Sequence, residues 1–316
     1  MKRLGAILLI IVILAALCGC AKREQAAEKT GLRVVCSLFP VYSFARSIAG
    51  EYAQVSQLLP PGMDSHDYEP SAGDMAASDK ADLFIYTDDE LETWISVLRG
   101  GFSHVKVVRC AEGIDLEALN EQWEKTGENH TGAEGHHSDH GHKYDAHIWL
   151  DPTLAVAMCE NIRDALSQAD EAHREQYAAS CQALCDELTQ LDAEFQALFD
   201  AHPDAMLYFG GKFAYSHFLR HYGVKYDSAY DDCSDEGEPG LGAVVRIINA
   251  MKAGGGKIIF TDELSSGQIA SEIARETGAE VRLFHTGHSV SAEESGKTYL
   301  DIMRQNLQVI TEALNK

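Results

Sequence analysis

From residue 33 onward, short apolar or alternating runs trade places with segments of helical spacing. Runs at 33–38, 53–59, 83–87 and 105–109 read as strands, and the periodicity over 41–49, 71–80 and 91–98 predicts helices between them. That alternation is the signature of a parallel α/β sheet. It restarts at 205–209, continues through 257–261 and 280–284, and is interleaved with helical patterns over 213–222, 241–253 and 267–277. Gly223 and Gly278 stand where helix C-caps belong. The expected fold is α/β, with two lobes built on parallel-type sheets.

Between the lobes, Tyr177, Cys181, Leu184, Leu188, Leu191, Phe195 and Leu198 recur at steps of four and three, and no Pro or Gly interrupts 171–201. This spacing places all of them on one helical face. A helix of about 30 residues would span roughly 45 Å at 1.5 Å per residue. The stripe stops after three heptads, so it predicts one long helix packed across both lobes, not a coiled-coil partner surface. The chain divides accordingly into an N-terminal lobe over 33–152, a helical segment over 153–204 and a C-terminal lobe over 205–316.

The first residues are built differently. Lys2 and Arg3 precede an uncharged run that ends in Leu17-Cys18-Gly19-Cys20. A membrane-spanning helix needs about 20 apolar residues, so this shorter run reads as a signal peptide over 1–19. A small residue before a cysteine at the end of the apolar region resembles the bacterial lipobox, which makes Cys20 the lipidated first residue of the mature chain. Residues 20–32 then form a lipid-anchored tether. The expected location is the extracytoplasmic face of a bacterial membrane.

The formal net charge of −23 repels nucleic acid and favours cations. Besides Cys18 and Cys20 the cysteines are Cys36, Cys110, Cys159, Cys181, Cys185 and Cys233, and their spacing matches no zinc ribbon and implies no particular disulfide. The segment 127–143 is polar, glycine-bearing and carries His130, His136, His137, His140 and His142, five of the fourteen histidines. Such composition marks an auxiliary metal-prone loop without core residues.

Open α/β sheets bind ligands beyond the carboxyl ends of their strands, so histidines in those loops are the candidates. His66 follows the turn Pro60-Pro61-Gly62, and His147 precedes Asp151-Pro152, a helix cap and first turn. His285 and His288 bracket Thr286-Gly287 after the last strand, with His285 ranked first for its nearness to the strand end. His217 and His221 lie opposite the apolar face of their helix and read as exposed surface. Imidazole nitrogen suits zinc, and a tetrahedral site needs four ligands.

With these residues in view, the chain resembles the metal-binding receptor lipoproteins of zinc and manganese ABC importers. The marks are Ser37-Leu38-Phe39-Pro40, Asp64 through Pro70, His147-Ile148-Trp149-Leu150-Asp151-Pro152, Tyr222-Gly223 and Glu238-Pro239. The resemblance implies a metal in the interlobe cleft, held by His66, His147 and two ligands from the C-terminal lobe. It implies Zn2+ as cargo, with Mn2+ the alternative, and as partners a permease with its ATPase. A monomer is expected, with no nucleic acid bound. The family's third histidine falls on Lys212, and a protonated lysine cannot ligate. The replacements are His285, His288 or Glu263, with Cys233 in its acidic loop a softer candidate. Asp262 reads as a helix N-terminal acid.

An enzyme is not expected. The chain carries neither His-Glu-x-x-His nor Gly-x-Ser-x-Gly, and Gly296-Lys297-Thr298 lacks the first glycine of a phosphate loop. The other class weighed is a surface adhesin lipoprotein with a structural metal.

Overall fold

The computed structural model describes residues 31–66, 68–126, 144–230, 233 and 239–315. Cys20 and the histidine-rich segment 127–143 lie outside the described residues, as do Glu238 and the acids flanking Cys233.

The first sheet holds β1 (Leu32–Cys36), β2 (Ala53–Gln57), β3 (Leu83–Tyr86) and β4 (Lys106–Arg109), all parallel, in the order β2-β1-β3-β4. The second holds β5 (Met206–Phe209), β6 (Lys225–Ser228), β7 (Ile258–Thr261) and β8 (Glu280–Leu283), in the equivalent order β6-β5-β7-β8. The two sheets therefore share one topology. Central β3 reads Leu-Phe-Ile-Tyr and is buried throughout, as a strand covered on both faces requires. Seven of these strands fall where the apolar runs predict them, and β6, built from Lys-Tyr-Asp-Ser, is the exception.

Around the first sheet pack α1 (Phe39–Ala49), α2 (Ala72–Ser78), α3 (Ile95–Gly101) and α4 (Leu116–Thr126). The third of these begins later than the predicted 91–98, because Leu91 and Trp94 are spent on the turns that close around Glu92. A short 3-10 turn at Ile148–Leu150 leads into α5 (Pro152–Ala169), where Pro152 opens the helix and Asp151 caps it by accepting from the Thr153 N–H at 2.8 Å.

The long helix is α6 (Arg174–Ala201), 28 residues and thus roughly 42 Å at 1.5 Å per residue. It buries Tyr177, Cys181, Leu184, Leu188, Leu191 and Phe195 as the periodicity predicts, with Cys185 and Phe199 beside them. Its stripe packs on α5 and α1, and near its end Phe195 and Phe199 meet Phe218 and Tyr222.

The second sheet carries α7 (Ser216–His221), α8 (Leu241–Gly254) and α9 (Gln268–Thr277). The final helix, α10 (Tyr299–Leu314), starts with a capping box between Thr298 and Asp301 and lies on α6 and α1. The Tyr299 N–H donates to Ser43 Oγ at 2.8 Å, so residues at the C-terminal end of the sequence brace the first lobe. One continuous core runs from Val34 through Trp149 and Leu188 to Phe284 and Ile310, and a smaller cluster around Ile247, Met251 and Ile259 sits under α8 and α9.

Candidate metal centre

Four side chains converge where the carboxyl ends of the two sheets meet. His66, His147, Cys233 and His288 place one donor atom each within 4.8 Å of one another. Cys233 Sγ lies 2.8 Å from His66 Nε2 and 3.0 Å from His147 Nε2. The ring centroids of His147 and His288 are 4.6 Å apart, and His66 stands 5.6 Å and 5.5 Å from them. Exposure is 7 % at His147, 4 % at Cys233 and 2 % at His288, so water has little access.

Three donors follow a strand directly, and His147 comes after α4, at the start of the 3-10 turn that leads into α5. His66 follows β2, and its N–H donates to Asp64 Oδ1 at 3.0 Å. Asp145 Oδ1 grips His147 twice, accepting from the backbone N–H at 2.9 Å and bonding Nδ1 at 2.5 Å. That leaves Nε2 to face the cluster, the second-sphere arrangement that orients metal-binding histidines. Burial works to raise the Asp145 pKa, but the charge and hydrogen bond of His147 outweigh it and hold this carboxyl well below the usual range.

Cys233 follows β6, and His288 follows β8. The backbone between Thr286 and His288 turns through Gly287 at φ 74°, a left-handed conformation that favours glycine. A Cβ there would lie 3.3 Å from Trp149 Nε1, the indole nitrogen that donates to the Thr286 carbonyl at 2.8 Å. His288 is held neutral: burial pushes its pKa well below the ordinary value, and crowding by His147 and His66 adds to this. Its Nε2 is buried with no hydrogen-bond partner among the described residues.

Three imidazoles and one thiol fit a tetrahedral zinc ion. Zn–N distances of about 2.1 Å and Zn–S of about 2.3 Å set neighbouring donors roughly 3.4–3.6 Å apart. The separations of 2.8 Å and 3.0 Å at Cys233 are shorter, so an ion would spread these donors by several tenths of an ångström.

Of the residues singled out in the sequence, His66, His147 and His288 come together and His285 and Glu263 do not join them. His285, ranked above His288, is turned toward α10. Asn306 pins its backbone from both sides, at 2.8 Å and 2.9 Å, and its Nε2 faces Glu294 at 3.6 Å. Glu263 accepts from the Thr286 N–H at 2.8 Å and from Thr286 Oγ1 at 2.6 Å, and Thr286 Oγ1 in turn lies 2.8 Å from His288 Nδ1. It therefore stands one hydroxyl away from the cluster; burial raises its pKa to about 7. Asp262 caps its own turn, accepting from the N–H groups of Leu264 and Ser265 at 2.9 Å and 2.7 Å.

Cys233, ranked lowest in the sequence, is central. The signal that locates it is strand β6, which puts Cys233 in the same position of its lobe as His66 has after β2. Lys212 bonds Asp64 at 3.1 Å and thereby links the C-terminal lobe to the His66 loop. His217 is not exposed surface, whereas His221 is exposed as expected. His217 is buried and its Nε2–H donates to the Asp145 carbonyl at 2.8 Å, while His221 bridges Asp151 at 3.2 Å and Asp192 at 2.9 Å. The polar face of α7 is therefore a contact at His217, where it meets the Asp145 carbonyl, and stays at the surface at His221.

Two parallel α/β lobes, a long helix joining them and a buried nitrogen–sulfur cluster in the crevice define a two-lobed solute-binding protein with a metal-type site. A family model described as "Zinc-uptake complex component A periplasmic" matches residues 34–313. The chain belongs to this family.

The high-affinity zinc uptake system protein ZnuA of Bacillus subtilis is 28% identical over 308 residues, covering 96% of this chain and 94% of its own. The zinc-binding lipoprotein AdcA of Streptococcus pneumoniae is 28% identical over 315 residues, 97% of this chain, but this chain spans only 61% of AdcA. Among solved structures, the metal-dependent lipoprotein YcdH of Bacillus subtilis superposes with TM-score 0.73 at 26% identity, over 89% of this chain and 99% of that one. The laminin-binding protein Lmb of Streptococcus agalactiae, described as having adhesin and metal-transporting activity, gives 0.75 at 27%, over 90% of this chain and 100% of its own. Among the described residues no helix is long and apolar enough to cross a membrane.

Proposed function

We propose that this protein captures zinc outside the cytoplasmic membrane and delivers it to a permease driven by a cytosolic ATPase, working as a monomer tethered through a lipid on Cys20. The observation that carries the reading is the convergence of His66, His147, Cys233 and His288 within 4.8 Å, two donors from each lobe. Membership of a zinc-uptake family supports it. Three nitrogens and a sulfur favour zinc over manganese, which prefers oxygen ligands. No covalent chemistry is required: capture expels the thiol proton and release returns it, so affinity rises with pH.

The test is zinc titration of the full mature chain against a competing chromophoric chelator. One tight ion per chain is expected, lost in His66→Ala, His147→Ala and His288→Ala and kept in His285→Ala. Deleting 127–143 should lower total zinc taken up and spare that single tight site. Tight binding that survives His66→Ala and vanishes with the histidine-rich segment would overturn the assignment.

A further inference from the structure

We infer that Glu263 is a positioning residue that sets the tautomer of His288 through the Thr286 hydroxyl, keeping the proton on Nδ1 and the lone pair on Nε2. The inference rests on the zinc-capture reading of the same site and adds to it a residue that touches no donor atom.

The argument is a count of protons and lone pairs. Thr286 Oγ1 has three neighbours: Glu263 Oε1 at 2.6 Å, His288 Nδ1 at 2.8 Å and the His288 backbone N at 3.3 Å. A hydroxyl has one proton to give and two lone pairs to receive. The backbone N–H always donates and occupies one lone pair. Ionised, the Glu263 carboxylate only accepts, so it takes the hydroxyl proton. What remains is a single lone pair facing Nδ1, and Nδ1 must therefore carry a hydrogen. In a neutral imidazole the other nitrogen is then the acceptor. That atom, Nε2, is the buried one with no hydrogen-bond partner among the described residues.

Glu263 is well placed to impose this order. Its second oxygen accepts from the Thr286 N–H at 2.8 Å, so the carboxylate is fixed against Thr286 by two bonds. An amide of the same shape reverses the order. Its oxygen keeps the Thr286 N–H, its NH2 donates to Oγ1, the hydroxyl turns to Nδ1, and the imidazole proton moves to Nε2, where it blocks ligation. His147 is oriented directly by Asp145, whereas His288 is oriented through one relay, so each lobe supplies a carboxylate for its own histidine.

The experiment is 15N NMR of histidine side chains in the full metal-free mature chain at about pH 8.5, where the Glu263 carboxyl, raised by burial to about 7, is ionised, with the His288 signals assigned by their loss in His288→Gln, alongside zinc competition titration. Wild type should show His288 as the Nδ1–H tautomer. Glu263→Gln should shift it toward Nε2–H and weaken zinc binding about 10–100-fold, the usual consequence of losing a group that orients a ligand. Thr286→Ser with Glu263 intact, which keeps the hydroxyl, should match wild type in both measurements. If Glu263→Gln does not fold, Thr286→Val makes the same test with a side chain of nearly the same shape.

A wild-type His288 found as Nε2–H overturns the inference. So does a Glu263→Gln chain that keeps the Nδ1–H tautomer, whether or not its affinity falls. Because the tautomer is read without metal, a chain that binds no zinc refutes the zinc reading separately.

Discussion

Replacing Cys233 by serine tests the composition of the cluster. The sulfur sits between two imidazole nitrogens at 2.8 Å and 3.0 Å. A thiolate and a zinc ion about 2.3 Å apart attract by roughly 14 kcal/mol at an effective dielectric of about 20. Desolvating each ion removes several kcal/mol of this, and deprotonating a free cysteine thiol at pH 7.5 takes about 1.4 kcal/mol more. The net loss expected in Cys233→Ser is roughly 3–4 kcal/mol, about 10²- to 10³-fold in Kd. The assay is competition titration with zinc, paired with cobalt substitution, in which a sulfur-to-metal charge-transfer band should appear in wild type and vanish in the variant. Affinity within threefold of wild type, or a charge-transfer band that persists, would show that Cys233 is not a ligand.

Three other outcomes follow from the packing. Gly287→Ala forces a Cβ onto a backbone at φ 74° and against the Trp149 indole, so urea denaturation should show a loss of about 1–2 kcal/mol, together with weaker zinc binding. Leu188→Ala empties a fully buried place on the long helix and should cost about 2–5 kcal/mol; a single cooperative transition is expected, because one core joins the two sheets, and two separate transitions would contradict that. His221 has its pKa raised by its bond to Asp151, so its contribution is fully present below the free-histidine value of about 6.5 and fades as pH rises through the folded value. The stability gap between wild type and His221→Gln should accordingly be larger at pH 6 than at pH 9, and a gap that widens at alkaline pH would contradict the assignment.

Much of this architecture was legible in the sequence because it rests on periodicity. The stripe from Tyr177 to Phe195 is the buried face of α6, and apolar runs such as Leu83–Tyr86 are buried strands. Where polar residues build an element, the pattern fails. Lys-Tyr-Asp-Ser at β6 carries two charged residues, and the buried Asp227 is paired with Arg246 at 2.9 Å, a tertiary event invisible in the local sequence. Missing that strand hid the position of Cys233. The choice between His285 and His288 failed for a different reason. Nearness to the strand end does not decide where a side chain points; the reversal at Gly287 does, together with the clamp of Asn306 on the His285 backbone. His66 and His147 are legible from the turn and helix entry beside them and from the motifs that resemble the family; the structure adds that Asp64 and Asp145, each two residues before the histidine, accept from its backbone N–H.

The shared strand order of the two sheets divides the donors evenly, since the chain that follows the second and fourth strands of each sheet, counted in chain order, supplies one apiece. Neither half alone offers more than a bidentate grip. Moving the halves apart by a few ångströms would break the tetradentate chelate into two weak fragments, so a modest rotation about the shared scaffold can change retention time far more than any adjustment within one lobe.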